Sequence, residues 1–347
     1  MILKSEKEVA ELQKRYLGPA QRYMRESLND SPGQIFDILR YHLGWQDKAG
    51  RDMPTDQGKG LRPILCLTAC ELCGGNWQQA LPAASALEFI HNFSLIHDDI
   101  QDGDVTRRGR ETVWSIWGVP IGLTAGNVMR VVADQTLLSL QDTGIAPKLV
   151  LAAAAELTRC YMDMIAGQYM DMAFEKTDSV SVENYLDMIG RKTGALIEGA
   201  MYMGALIATE NVATARAFGR CGRLLGLAFQ ARDDYLGIWG KADETGKPVG
   251  SDIKRRKKSL PVVYLLNEID PVRRLWLDKI YASDAISDPE VEQVIQLMEE
   301  IQTRDYVNLI CEEKANQAIE SVLPLIENPD FQSRIGSMAD FFITRVK

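Results

Sequence analysis

The sequence predicts an all-α fold, on three observations. Apolar residues recur at helical spacing, every three to four positions, through most of the chain. No segment alternates apolar and polar residues for long enough to make a convincing strand. The periodic segments are rich in Ala, Leu, Met, Glu and Gln, residues that lose little side-chain freedom in a helix.

The helical pattern is clear, in order, in IFDILRYHL (35–43), ALPAASALEFIHNFSLIH (80–97), KLVLAAAAELTRCYMDMIAGQYMDMAF (148–174), NYLDMIGRKTGALIEGAMYMGALIA (184–208) and CGRLLGLAFQARDDYLGIWG (221–240). Glycine and proline interrupt it at Gly74-Gly75, around Gly103 and Gly109, from Gly118 to Pro120, from Gly144 to Pro147, from Thr177 to Val182 and from Gly240 to Gly250. None of these breaks reads as an interdomain linker. The expectation is therefore one large helical domain over residues 31–347, preceded by a more charged helical arm over residues 1–30.

A chain of 347 residues with 46% hydrophobic content can bury a substantial core. Its net charge of −9 argues against a partner read through a nucleic-acid backbone. Six cysteines are too sparse for a disulfide framework in a chain of this length. The start, MILKSEKEVAELQKRY, lacks the apolar stretch of a signal peptide, so a reducing, cytoplasmic setting is expected. Cys70 and Cys73 form a CxxC with no second half. With Cys66 they fall at helical spacing, which predicts buried thiols in place of a zinc site. No apolar run reaches the roughly 18 residues of a membrane span, so no integral membrane segment is expected.

Chemistry concentrates in SLIHDDIQDGD. Asp98 and Asp102 are four apart, which on a helix places two carboxylates on one face a turn from each other. Both ionise near pH 3.9 when unperturbed, so at neutral pH they repel unless a cation bridges them. Oxygen ligands of this kind suit Mg²⁺, which commonly shares its shell with substrate phosphates. A second pair, Asp233-Asp234, ends another apolar helical stretch, with Gln230 near the same face. Cations accompany these acids: Arg107-Arg108, Lys192, Lys247 and the run Lys254-Arg255-Arg256-Lys257-Lys258. Arg grips a diphosphate bidentately and Lys acts as a point charge. Taken singly, the basic run is as compatible with a solvated loop as with a ligand site.

These residues resemble the trans-isoprenyl diphosphate synthases. GKGLRP (58–63), HNFSLIHDDIQDGDVTRRGRETVW (91–114), GQYMDMAFE (167–175), KTGALIEGA (192–200) and FQARDDYLGIWGKADETGKPVGSDIKRRKKSLP (229–261) occur in that family's order, over roughly residues 30 to 347. The resemblance implies a single large helical bundle of the isoprenoid synthase type with a central cavity, and a homodimer. It implies that Asp98, Asp102 and Asp233 bind the magnesium around an allylic diphosphate, with Asp99 and Asp234 in support. Lys59, Arg62, His91 and Arg108 would hold isopentenyl diphosphate. Arg107, Lys192, Lys247 and Lys257 would hold the allylic diphosphate, and Thr193 and Gln230 would line the reacting centre. The chemistry implied is loss of diphosphate to give an allylic cation, attack by the isopentenyl double bond, and proton loss to the departing diphosphate.

Phe93 and Ser94, one turn and slightly more before Asp98, would form the floor of the tail pocket. One aromatic beside a small residue resembles geranylgeranyl more than farnesyl diphosphate synthases. The chain departs from the family pattern at three places. Gly60 stands where Arg is common, Gly237 replaces the frequent last Asp of the second cluster, and Asn127, Arg130 and Asp134 occupy a segment where other residues are usual. Arg130 and Asp134 either pair along a helix or mark a changed pocket or dimer contact. The departures keep open a terpene cyclase, or a prenyltransferase to another acceptor, on the same scaffold. Intact Lys59, Arg62, His91 and Arg108 argue against a cyclase. Intact Asp98, Asp102 and Asp233 argue against a non-catalytic partner subunit.

Overall fold

The computed structural model describes residues 4–29, 32–53, 60–177, 179–242, 246 and 248–344. Lys59 and Lys247 lie outside the described residues. The fold is all-α, as the apolar periodicity predicts. The helices are α1 (Lys4–Asn29), α2 (Gln34–His42), α3 (Leu61–Leu72), α4 (Leu81–Gln101), α5 (Val113–Trp117), α6 (Val119–Leu138), α7 (Pro147–Glu175), α8 (Val182–Ile189), α9 (Ala195–Thr209) and α10 (Val212–Trp239). They continue with α11 (Ser251–Lys254), α12 (Leu260–Glu268), α13 (Pro271–Tyr281), α14 (Asp288–Glu300), α15 (Thr303–Val322) and α16 (Pro329–Thr344). Among the described residues the extended structure is a hairpin of two-residue strands, β1 (Thr106–Arg107) and β2 (Arg110–Glu111), and an isolated bridge between Gln46 and Asp52, all too short to leave an alternation in the sequence.

The described chain forms two compact units. One comprises residues 7–161 and 196–219. Its core lies where α4 packs along α6 and α3, burying Leu65, Leu67, Leu87, Phe89, Ile90, Met129 and Leu137. Each such side chain contributes about 1.5–3 kcal/mol on leaving water. The stripe Leu12, Tyr16, Ala20, Met24 and Leu28 of α1 is buried as well, and Tyr16 donates a 2.6 Å hydrogen bond to Glu71 on α3. Cys66 and Cys70 are fully buried and Cys73 half-buried, and all six cysteines are free thiols.

The second unit comprises residues 1–6, 162–195 and 220–347. Tyr185, Met188 and Ile189 of α8 meet Ala231 of α10, Leu260 and Val263 of α12, and Val307 and Ile310 of α15. A neighbouring cluster joins Ile238, Ile253, Val262, Leu265, Leu277, Val291 and Val294. Between α8 and α9 the backbone forms one π-helical turn, Gly190–Gly194. Among the described residues no helix is long and apolar enough to cross a membrane.

Candidate functional site

The first acidic cluster sits on the last turn of α4. Pro82 starts this helix, where its missing N–H costs nothing. The end is a Schellman turn: Gly103 takes a left-handed φ of 68°, and the Asp104 N–H reaches back to the Asp99 carbonyl at 2.9 Å. Asp102 is thereby the C-cap, with its own N–H on the Asp98 carbonyl at 2.8 Å. His91, Ser94, Asp98 and Asp102 follow one another along one partly exposed stripe of α4, as the i, i+3/i+4 spacing predicts. Two acids at a helix C-terminus oppose both each other and the negative end of the helix dipole. A cation there relieves both.

Asp99 points the other way. It is 1% exposed, and its Oδ1 accepts a 2.5 Å hydrogen bond from Nε of Arg107. The hairpin makes this contact possible: Arg108 and Gly109 both have positive φ (50° and 72°), so the chain reverses tightly and Arg107 pairs with Arg110 across the turn. Arg110 then locks the hairpin by stacking on the Tyr41 ring at 4.1 Å and donating to the carbonyls of Tyr41 and Gln46. Burial raises the pKa of Asp99, and the Arg107 guanidinium opposes that rise.

Beside this hairpin lies a cluster of cationic side chains. A cavity of about 180 Å³ is lined by His42, Asp99, Arg107, Arg108 and Arg110, among others. Burial, followed by the fields of Arg108 and Arg107, pushes His42 down to about 3. Burial and then Arg62 and Arg108 hold His91 well below its ordinary value, so both imidazoles are neutral at pH 7. Arg62, in the first turn of α3, has a buried Nε without a hydrogen-bond partner among the described residues, and so does Oε2 of Glu88. Clustered cations with an orphaned guanidinium N–H suit a multivalent anion.

Gly60, the N-cap of α3, is left-handed with φ 55°, and a Cβ there would collide with Cδ1 of Leu17 on α1. An Arg at this place would carry left-handed backbone strain and would require the Leu17 side chain to shift. Phe93 is buried and meets the ring of His97 edge-on at 4.9 Å. His97 is accommodated because Gly126 on α6 carries no Cβ to strike its ring. The Ser94 hydroxyl is turned onto the His91 carbonyl at 2.8 Å. Arg130 does pair with Asp134, at 2.8 Å, and also donates to the Tyr161 hydroxyl at 2.5 Å. Asn127 is exposed.

In the second unit the π-helical turn does the positioning. Such turns often mark functional sites, because the extra residue re-aims side chains. Gly167 of α7 meets the Lys192 backbone so closely that a Cβ would sit 2.7 Å from the Lys192 Cα, and Gly226 of α10 approaches Gly194 similarly, at 2.5 Å. The tight packing delivers Lys192 Nζ to Oδ2 of Asp171 at 2.5 Å and Thr193 Oγ1 to Oε1 of Gln230 at 2.8 Å. Gln230 passes the chain on: its Nε2 donates to Oδ1 of Asp234 at 3.2 Å.

Asp233 and Asp234 divide as Asp98 and Asp99 do. Asp233 is exposed, whereas Asp234 is fully buried. Oδ2 of Asp234 accepts from the Tyr185 hydroxyl at 2.5 Å and from the Leu260 N–H at 3.1 Å, and Lys257 Nζ lies 3.6 Å from Oδ1. Burial raises the Asp234 pKa against the pull of Lys257 and Tyr185. For Lys257, burial works against its charge, but Asp234, Asp252, Asp233 and Asp171 outweigh it and hold the ammonium above its ordinary value. In each pair, then, the first acid is more exposed than the second, which is tied to a protein cation.

Asp171, Tyr185 and His42 were not singled out by the sequence. Asp171 lies inside the quoted GQYMDMAFE segment and could have been marked by its four-residue offset from Gly167. Tyr185 and His42 carry no local signal. Among the described residues no three His, Cys, Asp or Glu side chains converge as a preformed metal cage. A site that completes its shell with water and substrate phosphate needs none.

The polyprenyl synthetase family model matches residues 44–298. The chain is 36% identical over 313 residues to a geranylgeranyl diphosphate synthase of Mycobacterium tuberculosis, covering 90% of this chain and 87% of that protein. It is 39% identical over 284 residues to a (2E,6E)-farnesyl diphosphate synthase of Mycobacterium bovis, covering 81% and 77%. The crystal structure of a polyprenyl synthetase from Streptomyces coelicolor A3(2) matches with a TM-score of 0.89 at 35% identity, over 97% of this chain and all of that one. The motifs, the helical fold and these likenesses agree: the chain belongs to the polyprenyl synthetase family of trans-isoprenyl diphosphate synthases.

Proposed function

We propose that the protein condenses isopentenyl diphosphate with an allylic prenyl diphosphate, head to tail through an allylic cation, to a short-chain product, with geranylgeranyl diphosphate the favoured product and farnesyl diphosphate the second choice. The observation that carries this reading is the division within each acid pair. Asp98 is half-buried and Asp233 exposed, while Asp99 and Asp234 are buried against Arg107 and Lys257. Solvent-accessible carboxylates backed by inner ones that a protein cation holds in place suit a hard cation that keeps part of its water shell.

In this reading Asp98, Asp102 and Asp233 hold Mg²⁺, and Asp99 and Asp234 orient the segments that carry them. Magnesium supplies stabilisation of the charge that develops on the leaving diphosphate. Lys192, Arg107, Lys257 and Lys247 take the allylic diphosphate. Asp171 aims Lys192, and the hydroxyl of Thr193, fixed by Gln230, lines the reacting centre. Lys59, Arg62, His91 and Arg108 take isopentenyl diphosphate. A neutral His91 donates one N–H there without adding charge, and the orphaned Arg62 Nε–H gains its acceptor. Phe93 closes the tail pocket, and apolar walls keep water from the cation.

We further propose a cytoplasmic homodimer. Six free thiols fit a reducing compartment. On α6, Leu123 (44%), Val131 (49%) and Leu138 (48%) are exposed on the side that also carries exposed Asn127, a mixed surface that a second copy would cover. The test of the function is incubation of the purified protein with Mg²⁺, labelled isopentenyl diphosphate and each of dimethylallyl, geranyl and farnesyl diphosphate. Labelled twenty-carbon diphosphate is expected. Release of an unlabelled hydrocarbon with no incorporation would sink the reading.

A further inference from the structure

Beside the π-helical turn Gly190–Gly194, which carries Lys192 and Thr193, one carboxylate is shared by two arginines. Asp163 of α7 accepts from Arg191 of the turn with Oδ1, at 3.4 Å, and from Arg223 of α10 with Oδ2, at 3.5 Å. Three segments distant in sequence thus meet on one acid. Arg191 is also held within its own segment, its Nε donating to Oδ2 of Asp187 on α8 at 2.9 Å. Asp163 ties it instead to α7 and α10.

The spacing on the two helices shows what this tie does. Asp163, Gly167 and Asp171 are four apart on α7, so they follow one slowly turning stripe of that helix. Asp163 takes Arg191, Gly167 admits the Lys192 backbone, and Asp171 takes the Lys192 ammonium. On α10, Arg223, Gly226 and Gln230 repeat the arrangement at three- and four-residue spacing. The Arg223 side chain spans the turn from end to end: a Cβ on Gly190 would lie 3.3 Å from its Nε, and one on Gly194 would lie 3.2 Å from its Cδ. Gly226 then meets Gly194, and Gln230 holds the Thr193 hydroxyl.

Magnitudes favour position over stability as the role of this cluster. The side chains of Asp163, Arg191 and Arg223 are 27%, 37% and 25% exposed, and ion pairs this accessible contribute about 0–1 kcal/mol to folding. Relaxation of the turn into α-helical register would rotate Lys192 against a flanking helix by about 100°, the angle per residue of an α-helix. A tie on the preceding residue, Arg191, opposes that rotation.

We propose that Asp163 is a positioning residue: by sharing its carboxylate between Arg191 and Arg223 it fixes the register of the π-helical turn and so aims Lys192 and Thr193. The proposal rests on the function proposed above for what those two residues touch.

The test reads hydrogen–deuterium exchange of the backbone over Gly190–Gly194, steady-state kinetics with geranyl and isopentenyl diphosphate, and the melting temperature. For Asp163→Asn, exchange at the turn is expected to rise at least about fivefold, while kcat/KM for geranyl diphosphate falls about tenfold, the scale of a small misplacement of a binding group. KM for isopentenyl diphosphate should stay within about twofold, since Arg62, His91 and Arg108 belong to the other unit. Asp187→Asn, which leaves the shared carboxylate in place, should change neither substrate's constants by more than about twofold. Unchanged exchange at the turn, faster exchange without kinetic change, losses that fall equally on both substrates, or an equal loss in Asp187→Asn would each overturn the proposal. The double variant Asp163→Asn/Arg223→Gln should be no more than about twofold worse than Asp163→Asn, because both act through one contact; multiplied losses would overturn it too. A wild type that does not elongate prenyl chains removes the proposed function. The Asp163 assignment is then decided by exchange at the turn together with calorimetric binding of inorganic pyrophosphate with MgCl₂, which Asp163→Asn should weaken about fivefold and which, unchanged, would overturn it.

Discussion

The Tyr185 hydroxyl donates to Oδ2 of Asp234 at 2.5 Å across 49 residues of sequence, and both side chains are buried. This bond links α8 to α10 behind the exposed Asp233. Replacing Tyr185 with Phe keeps the ring and deletes the donor, leaving a buried carboxylate short of one partner. The expected cost is about 1–3 kcal/mol of stability, measured by urea denaturation. A variant as stable as the wild type would show that Asp234 is sufficiently held by Gln230, Leu260 and Lys257.

Asp98→Asn preserves the shape of α4 and removes the charge of its half-buried carboxylate. Turnover is expected to fall at least about 10²-fold, the scale of losing one group that stabilises developing charge. Asp99→Asn, whose side chain faces Arg107 and not solvent, should lower turnover less and melting temperature more. Near-normal turnover in Asp98→Asn would refute its metal role.

Phe93 is held edge-on against His97, and His97 fits because position 126 is glycine. Phe93→Ala removes the aromatic floor and is expected to lengthen the products, read by mass spectrometry of the dephosphorylated alcohols. An unchanged product profile would move the floor elsewhere.

An unfolded histidine takes up its proton near pH 6.5, whereas folded His42 does so only near pH 3, chiefly because it is buried and then because Arg108 and Arg107 repel the charge. Between these values the unfolded chain binds the extra proton, so stability falls as pH drops below about 6.5, by at most about 1.4 kcal/mol per pH unit for this residue. His91 acts in the same direction. Urea midpoints at pH 7, 6 and 5 should fall more shallowly in His42→Gln than in the wild type. Parallel slopes would contradict the assignment.

What can be read from this sequence is what lies within a helical turn or two. Asp98 and Asp102, and the Arg130–Asp134 pair, are four apart, so their common face follows from helix geometry alone. The all-α fold follows from the same periodicity. The partners of Asp99 and Asp234 were not legible in the same way. Arg107 returns to Asp99 only through a two-residue hairpin with left-handed Arg108, and Tyr185, Lys257 and Leu260 reach Asp234 from distant segments. The π-helical turn that aims Lys192 depends on glycines in two other helices meeting it at backbone distance, a tertiary condition with no local signature. Gly60 and Gly237 look like losses in sequence. Their surroundings show them as positions where Leu17 and Asp252 already occupy the space.

The central claim is that an allylic diphosphate ionises before the new carbon–carbon bond forms. The most direct measurement compares geranyl diphosphate with an analogue fluorinated next to the developing cation, in single turnovers with saturating isopentenyl diphosphate and Mg²⁺. Fluorine barely alters size but withdraws electrons from the cation. The rate with the analogue should fall at least about 100-fold, a barrier rise of about 2.7 kcal/mol, with little change in binding. Equal rates for the two substrates would mean that bond formation does not pass through an allylic cation.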